Sequence, residues 1–359
     1  MFNKFFYITR QISFRIIALT CVAVYVIGLL YYFSTHTPGT EKMPTILTPT
    51  AHMKQLATNV SVGLHISGFP VFSFSKNEFH FDGVLWFKFL AGTESLKSLE
   101  NFVFEDSEML YGGNLLYKSD PIVKFIGQDV LVCYNIQAVV KGRLNYKQFP
   151  IGDHKLVLSM HNKNISSREM CLNSSPDYLT LSDDLLIYDW KASTKTVITG
   201  YTSAPLNEQK DITLTYPSVI FAIDFDNVGI KDLISLYFPL LVLFFIGLFS
   251  LFFELGSEAR LTFIAASVPI LVLFRMVIDG VSPQVGYTTH IDFFYNILVG
   301  LSLIILFFQA YVMLMMQKVK SFTEKKARET KEFLENASDI VFIANLCALI
   351  ILVTYSFYR

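Results

Sequence analysis

The chain has 359 residues, of which 52% are hydrophobic and 15% aromatic, and its mean hydropathy is +0.44. Soluble proteins of this length are rarely so apolar, so the composition indicates a membrane protein. The formal net charge of −1 gives no indication of nucleic-acid binding. We find no zinc-ligand spacing, nucleophile elbow, phosphate-binding loop or plausible pair of catalytic carboxylates, so the sequence indicates neither an enzyme nor a metal or cofactor site.

Charge-free runs in the sequence predict helices that cross a membrane. Stretches without Asp, Glu, Lys or Arg that reach the spanning length of about 20 residues occur at 16–40, 233–253, 293–317 and 340–358. A fifth apolar stretch, 261–274, reaches this length only by including Arg275 and ending near Asp279. Arg275 either snorkels to the headgroups or lies in a partly hydrated bundle interior, and both interpretations stay open. Asp279, four residues later, is placed to pair with it.

Basic residues set the expected orientation in the membrane. Lys4, Arg10 and Arg15 precede the first span, and the segment 317–336 is also rich in Lys and Arg. Both are therefore expected in the cytoplasm, with residues of about 42–230 and the C-terminus outside. The first span is either a cleaved signal peptide or a retained anchor, and the absence of a small-residue cleavage site favours the anchor.

The intervening region changes to a period of two. Apolar and polar residues alternate, with many β-branched and aromatic side chains, in 60–74, 78–90, 130–140, 154–160, 194–201 and 212–225. Short alternating runs separated by turn residues predict an antiparallel two-sheet β-sandwich. Cys133 and Cys171 lie in this region and either form a disulfide or remain separate thiols.

The predicted fold class is therefore a membrane protein with an N-terminal transmembrane anchor helix, an extracellular or periplasmic antiparallel β-sandwich and a four-helix transmembrane bundle. The part before the four-helix domain comprises a cytoplasmic segment 1–15, an anchor (or uncleaved signal) 16–34, a linker 35–57 and the sandwich 58–231. The four-helix domain spans 232–358, with helices at about 233–253, 259–279, 291–316 and 337–357 and a basic cytoplasmic loop at 317–336.

Residues from about 58 to 358 resemble the pentameric ligand-gated ion channels, the Cys-loop receptor superfamily. Trp86 stands at the position of the family's second-strand Trp, and Pro239 at that of the proline in the first channel helix. "YKQFPIGDHKLVL" (146–158) resembles the signature loop, and "SPQVGYTTHIDFFY" (282–295) is similar to the connector between the second and third channel helices. Gly142 and Leu156 stand where the bracketing cysteines would be, so the resemblance is to prokaryotic-type members that lack the disulfide.

Other departures concern the signature loop and the start of the first channel helix. Gly152 replaces the signature Asp, and we expect Asp153 to take its role. The basic residue nearest to the first channel helix is Lys231. The additional N-terminal span is outside the family's plan.

The resemblance implies a homopentamer of identical subunits in a lipid bilayer, and a bacterial inner membrane is favoured. An unknown small-molecule ligand, or protons, would open a pore for inorganic cations. The aromatic box of the animal receptors has no counterpart here, which leaves the ligand open. Tyr201 and Tyr216 flank a segment resembling the family's capping loop and are candidate ligand contacts, although such tyrosines are as often core residues.

The resemblance also implies a coupling site at which the signature loop meets the connector. Candidate residues for coupling are Phe149, Pro150, Asp153, His154, Lys231, Tyr287 and Asp292, with 75–79 beside them. Thr288 or Thr289 is expected to cap the next helix, and Asp292 is favourable in its first turn. Without coupling, these residues would only close a polar surface.

The resemblance aligns 257–280 with the pore-lining helix. At helical spacing one face carries Thr262, Ala266, Pro269, Leu273 and Met276. Glu258, at the inner mouth, favours cations, whereas Arg260, two residues later on another face of the helix, is able to weaken that field. Pro269 is either a gating hinge or a tolerated kink, or it indicates divergence to a non-conducting receptor or scaffold on the same fold.

Overall fold

A computed structural model gives the structure of this protein. It describes residues 2–36, 41–49, 57–73, 76–93, 96–105, 115–141, 144–185, 187, 190–206, 213–228 and 230–358. Gly142, Ser75 and residues 207–212 of the segment that resembles the capping loop lie outside the described residues. The chain forms two compact units. The helical unit comprises Met1–Thr37, Tyr146–Gly152 and Gly229–Arg359, and the β-unit comprises Pro38–Asn145 and Asp153–Val228.

Five helices of the described chain are long and apolar enough to cross a membrane. They are α1 (Phe2–His36), α2 (Ile230–Phe249), α3 (Glu258–Val281), α4 (His290–Val319) and α5 (Glu324–Tyr358). This confirms the predicted helices. The basic loop predicted over 317–336 is wrong in its local structure, because α4 continues to Val319 and α5 already begins at Glu324. Its five Lys and four Glu residues, with Ala327 and Arg328, are strong helix formers, which favours helix over loop.

Helix α1 packs beside α5 in this unit. Helix α3 contacts α2 and α4, α4 contacts α2 and α5, and α1 contacts α5 and α2. Arg15 pairs with Asp339 at one end of the apolar span of α1 (Phe14–Phe33), and Phe33 stacks on Phe357 at the other, with ring centroids 4.1 Å apart. Each helix covers the same number of residues between these contacts, about 27 Å at 1.5 Å per residue. Helices α1 and α5 therefore run parallel, with the N-terminal end and the basic segment at the same end of the bundle.

The described residues of the β-unit form two sheets. The larger has the order β4-β6-β2-β1-β8, with β5 also on β6 and β9 also on β1, and the smaller has the order β10-β11-β7-β3. The strands are β1 (Thr58–Ser73), β2 (Glu78–Leu90), β3 (Val103–Glu105), β4 (Leu115–Lys118), β5 (Ile122–Ile126), β6 (Asp129–Val140), β7 (His154–His161), β8 (Met170–Asn173), β9 (Leu179–Leu181), β10 (Trp190–Pro205) and β11 (Thr213–Asn227). One-turn helices lie at Leu96–Leu99, Pro176–Tyr178 and Ser250–Phe252.

The sandwich-like arrangement follows from the alternation in the long strands. Phe79, Phe81, Leu85 and Phe87 of β2 point inward at every second position and share one apolar core with both sheets. The expectation of a purely antiparallel sandwich needs correction, because β1 pairs in parallel with β8 and β9.

The predicted disulfide between Cys133 and Cys171 is also corrected. Both cysteines are free. They lie on β6 and β8 of the same sheet, with β2 and β1 between these strands. Three strand spacings amount to about 14 Å, about twice the largest Cα separation of roughly 7 Å that a disulfide can bridge. Burial raises the pKa of the Cys133 thiol, which favours the protonated thiol.

Gly63 allows the indole of Trp86 to lie against β1. A Cβ at Gly63 would be 2.1 Å from Trp86 Cζ2, whereas one at Gly68 on the same strand would meet nothing within 4 Å. We expect Gly63→Ala to destabilise the β-unit by about 1–3 kcal/mol, the usual cost of overpacking, and Gly68→Ala to cost less than half of this. Urea unfolding followed by tryptophan fluorescence compares the two variants, and equal midpoints would contradict the proposed role of Gly63.

Candidate functional site

The connector between α3 and α4 ends in a capping box. The Thr289 hydroxyl accepts the Asp292 N–H at 3.4 Å, and Asp292 Oδ2 accepts the Thr289 N–H at 2.8 Å. The prediction of a threonine cap with Asp292 in the first turn is confirmed, and Thr289 is the capping residue. The box satisfies backbone N–H groups that a helix start leaves without intrahelical partners.

Arg275 ties the end of α3 to the start of α4. Its Nη2 is 2.7 Å from Asp279 Oδ1, which confirms the predicted pair, and its Nη1 is 2.6 Å from Asp292 Oδ1. The second contact adds a carboxylate that spacing along one helix does not predict. Because two carboxylates bind one guanidinium, Arg275 is a cross-link between two helices rather than an isolated charge.

Residues 146–152 of the predicted signature loop belong to the helical unit and contact the connector. The Tyr146 N–H donates to the Tyr287 hydroxyl at 2.9 Å, and the Ile291 N–H donates to the Phe149 carbonyl at 3.2 Å. Ile151 is buried in the apolar cluster of the bundle, and Phe149 packs against that cluster. The structure thus places Phe149 and Tyr287 in the two segments that contact each other, Phe149 through Ile291 and Tyr287 through Tyr146. Tyr146 and Ile151 were not predicted.

Pro150 is buried, and the peptide bond that precedes it is cis. Lys231 is exposed at the second residue of α2. The structure therefore places Pro150 with the contacting segment, whereas it leaves Lys231 at the surface of its helix.

The remaining signature-loop candidates belong to the β-unit. Asp153 Oδ1 accepts the N–H of Asn227, the last residue of β11, at 2.8 Å. Burial raises the pKa of the Asp153 carboxyl, partly opposed by this hydrogen bond. His154 is buried, with its ring centroid 5.5 Å from that of Trp190, and its Nδ1 is 2.6 Å from Glu41 Oε1. Glu41 was not predicted.

A polar pocket of about 630 Å³ lies beside the connector in the helical unit. Its lining includes Arg275, Asp279, Gln284, Tyr287 and Asn296. Charged, amide and phenolic groups thus surround one space, so a movement of the connector would change the surroundings of both carboxylates bound to Arg275.

A buried polar chain, which the sequence did not indicate, links α2, α4 and α5. The Tyr237 hydroxyl is 2.6 Å from His290 Nδ1, and His290 Nε2 is 2.9 Å from the Ser356 hydroxyl. Both ring nitrogens of a buried histidine are thereby satisfied, which avoids the cost of an unpaired polar group in an apolar bundle. His290 thus fixes the start of α4 against two neighbouring helices.

Helix α3 leaves one face uncovered in the single chain. The predicted pore residues Thr262, Ala266, Pro269, Leu273 and Met276 are all exposed, while Ile264, Val268, Leu271 and Ile278 are buried. At 100° per residue the mean directions of these two sets differ by about 180°. The helix continues through Pro269. The predicted face is therefore the one turned away from the rest of the helical unit.

The charges at the first turn of α3 point in different directions. Glu258 is exposed, whereas Arg260 is 3% exposed and its Nη2 donates to the Ser338 hydroxyl of α5 at 2.8 Å. As predicted, Arg260 lies on another face of α3 than Glu258, and its guanidinium is directed towards α5. Arg260 lies near Arg15 and Asp339, inside the bundle.

The predicted ligand contacts Tyr201 and Tyr216 need correction. Each is 2% exposed, because β10 and β11 turn both rings into the β-unit. The Tyr201 hydroxyl donates to the Met170 carbonyl at 3.4 Å, and the Tyr216 ring contacts that of His161, with centroids 5.0 Å apart. Burial raises the pKa of Tyr216 to about 12 and also raises that of Tyr201. Both are core residues and present no surface to a ligand.

Comparison of the chain with models of protein families and with curated proteins finds no match. In the described residues no group of three or more His, Cys, Asp or Glu side chains is placed to hold a metal ion. The described chain is thus of the membrane-protein class in composition and fold: a β-sandwich-like region lies between helix α1 and four further helices, and all five helices are long and apolar enough to span a membrane.

Proposed function

We propose that this chain is the subunit of a homopentameric, ligand-gated and cation-selective channel of a cell membrane. The observation that carries the proposal is the uncovered face of α3. That face has a hydroxyl near its first turn and apolar side chains towards its other end, and it points away from α2 and α4, which cover the buried face. In a ring of identical subunits, five such faces would surround one axis.

The side chains on this face support a gate and a selectivity site. Leu273 is 63% exposed and Met276 is 74% exposed in the single chain. Rings of these side chains would close a pore by excluding water. Glu258 would supply a ring of carboxylates at the inner mouth, which favours cations, while Arg260 is turned into the bundle.

The proposed coupling runs through residues 146–152. This segment continues the β-unit's chain into the helical unit, where it bonds to Tyr287 and Ile291 of the connector and the α4 start. A small molecule or protons acting on the β-unit would favour the open pore only through a difference in affinity between the two states. A bacterial inner membrane is the proposed location, because Gly142 and Leu156 stand where the bracketing cysteines would be. The β-unit would lie outside, since both basic segments lie at one end of the bundle.

Native mass spectrometry of the detergent-solubilised protein is the first test, and we expect a pentamer. A persistent monomer or dimer would contradict the ring and favour an anchored binding module. A pentamer that never conducts would favour the alternative, a non-conducting receptor or scaffold on the same fold.

In liposomes, Leu273→Ser is expected to raise basal cation flux about tenfold. A tenfold change corresponds to a loss of about 1.4 kcal/mol of stability from the closed state. This loss is smaller than the free energy gained by burying one leucine side chain. The matched control is Leu314→Ser on α4, at a leucine that is 59% exposed and outside the predicted pore face. Equal flux in the two variants would argue against a pore lined by α3.

A further inference from the structure

The linker after α1 contributes a buried carboxylate to the ends of the signature loop. The Glu41 side chain is 2% exposed. Its Oε1 accepts the Asn145 N–H at 3.3 Å and lies 2.6 Å from His154 Nδ1, and its Oε2 accepts the Lys155 N–H at 3.1 Å. Asn145 and Lys155 stand on either side of the segment 146–152, so one side chain joins the two flanks of that segment.

A buried carboxylate is costly unless donors surround it, and here two backbone N–H groups and an imidazole do so. These bonds hold together Asn145 and Lys155, which are ten residues apart in the chain. Between these points, Phe149 and Tyr146 make the bonds to the connector described above. Glu41 therefore fixes the two ends of the segment whose middle contacts the connector between α3 and α4.

The linker that carries Glu41 is itself fixed to the β-unit. The Leu47 N–H donates to the Tyr201 carbonyl at 2.8 Å, and the Tyr201 N–H donates to the Leu47 carbonyl at 2.9 Å. Gly200 permits this approach, since a Cβ there would be 2.1 Å from Ile46 Cγ2 and 2.4 Å from the Leu47 carbonyl oxygen. Residues 41–49 thus form a strap that pairs with the edge of β10 and keeps Glu41 at the β-unit.

We propose that Glu41 is the positioning residue of the coupling segment, and that the strap is therefore a working part of the gating apparatus rather than a passive tether. The role in gating rests on the proposed channel function. The positioning role is independent of the channel function, because it concerns only how rigidly Glu41 holds residues 145–155 and, through them, the connector.

Hydrogen–deuterium exchange of the full chain in detergent tests the positioning. We expect Glu41→Ala to speed amide exchange about tenfold in peptides covering 145–155, where two hydrogen bonds are lost, and also in peptides covering 287–295, which include the Ile291 amide. Glu41→Gln retains an acceptor oxygen and is expected to give an intermediate change. The matched control for Glu41→Ala is Glu169→Ala, which removes a carboxylate that accepts the Ser166 N–H at 3.0 Å elsewhere in the β-unit.

Faster exchange confined to 145–155 would overturn the positioning role and leave Glu41 a local stabiliser, and unchanged exchange in both regions would overturn the contact itself. Retention of the oligomer of the unmodified chain in native mass spectrometry shows that a variant has folded. Flux is measured separately in the Leu273→Ser background, where Glu41→Ala is expected to change the basal flux at least threefold. If Leu273→Ser never conducts, the channel proposal fails while the exchange result still decides the role of Glu41.

Discussion

Replacement of Asp339 by Asn is expected to destabilise the helical unit by about 2–4 kcal/mol, slightly less than the loss of one partner from a fully buried ion pair. Asp339 binds Arg15, whose Nε lies 3.0 Å from Asp339 Oδ1 and whose side chain is 14% exposed. Without the carboxylate, Arg15 would retain the Leu251 carbonyl at 2.9 Å and the face of Phe252. It would also face Arg260, so two cations would share an interior without a compensating charge.

The effect is measured as the loss of helical circular dichroism on heating or in denaturing detergent, with tryptophan fluorescence as an internal reference for the β-unit. The matched control is Glu335→Gln, one turn earlier on α5, where the side chain is exposed. A double variant, Arg15→Gln with Asp339→Asn, removes both charges and is expected to recover most of the stability. If the Asp339→Asn and Glu335→Gln variants were equally stable, the ion pair would not contribute to the stability of the helical unit.

This pair also bears on the N-terminal helix. Val22, Val26 and Leu30 of α1 are buried within the apolar cluster of the bundle, and Tyr25 is 3.0 Å from the Thr354 hydroxyl of α5. A cleaved signal peptide would leave the facing side chains of α5 and the carboxylate of Asp339 without these partners. The packing therefore favours α1 as a fifth helix of the bundle.

Long elements of this fold could be predicted from the sequence, whereas the short ones could not. The spans are visible because an apolar helix has to match the thickness of the hydrocarbon layer. Strands β1, β2 and β6 are visible because each repeats its inward and outward alternation many times. Strands β8 and β9 have four and three residues, too few for a period to be recognised, and their parallel pairing with β1 depends on distant chain segments.

The candidate site divides in the same way. The capping box and the Arg275–Asp279 pair involve residues three and four positions apart, so local rules predict them. The bond from Glu41 to His154 joins residues 113 positions apart, and no local pattern in a Thr- and Pro-rich linker indicates it. The helix face of Arg260 follows from its spacing, but its partner Ser338 lies 78 positions away on another helix and could not be predicted. Sequence patterns thus predicted the elements of the site, and the tertiary contacts determine which side chains meet.

The β-unit is expected to lose stability as the pH falls from about 6.5 to about 4, because His161 is neutral in the folded chain. His161 is 1% exposed, and neither ring nitrogen makes a hydrogen bond in the described part of the structure. Glu105 Oε2 lies 3.5 Å from its Nδ1, and Lys163 Nζ lies 3.8 Å from Glu105 Oε1. Burial, with a smaller contribution from Lys163, lowers the pKa of His161 to about 4. The unfolded chain therefore binds a proton that the folded chain excludes, at a full cost of about 3 kcal/mol.

Urea unfolding at pH 7 and near pH 4.5, followed by tryptophan fluorescence, measures this loss, since both tryptophans of the chain, Trp86 and Trp190, lie in the β-unit. His161→Met removes the titrating ring and is expected to abolish most of the acid-induced loss, while His65→Met, on the partly exposed face of β1, should leave it in place. The raised pKa of Asp153 acts with the opposite sign, since a carboxyl protonated more readily in the folded chain gains stability as the pH falls. The difference between His161→Met and the unmodified protein isolates the histidine, and parallel pH curves for the two would show that His161 is not held neutral by burial.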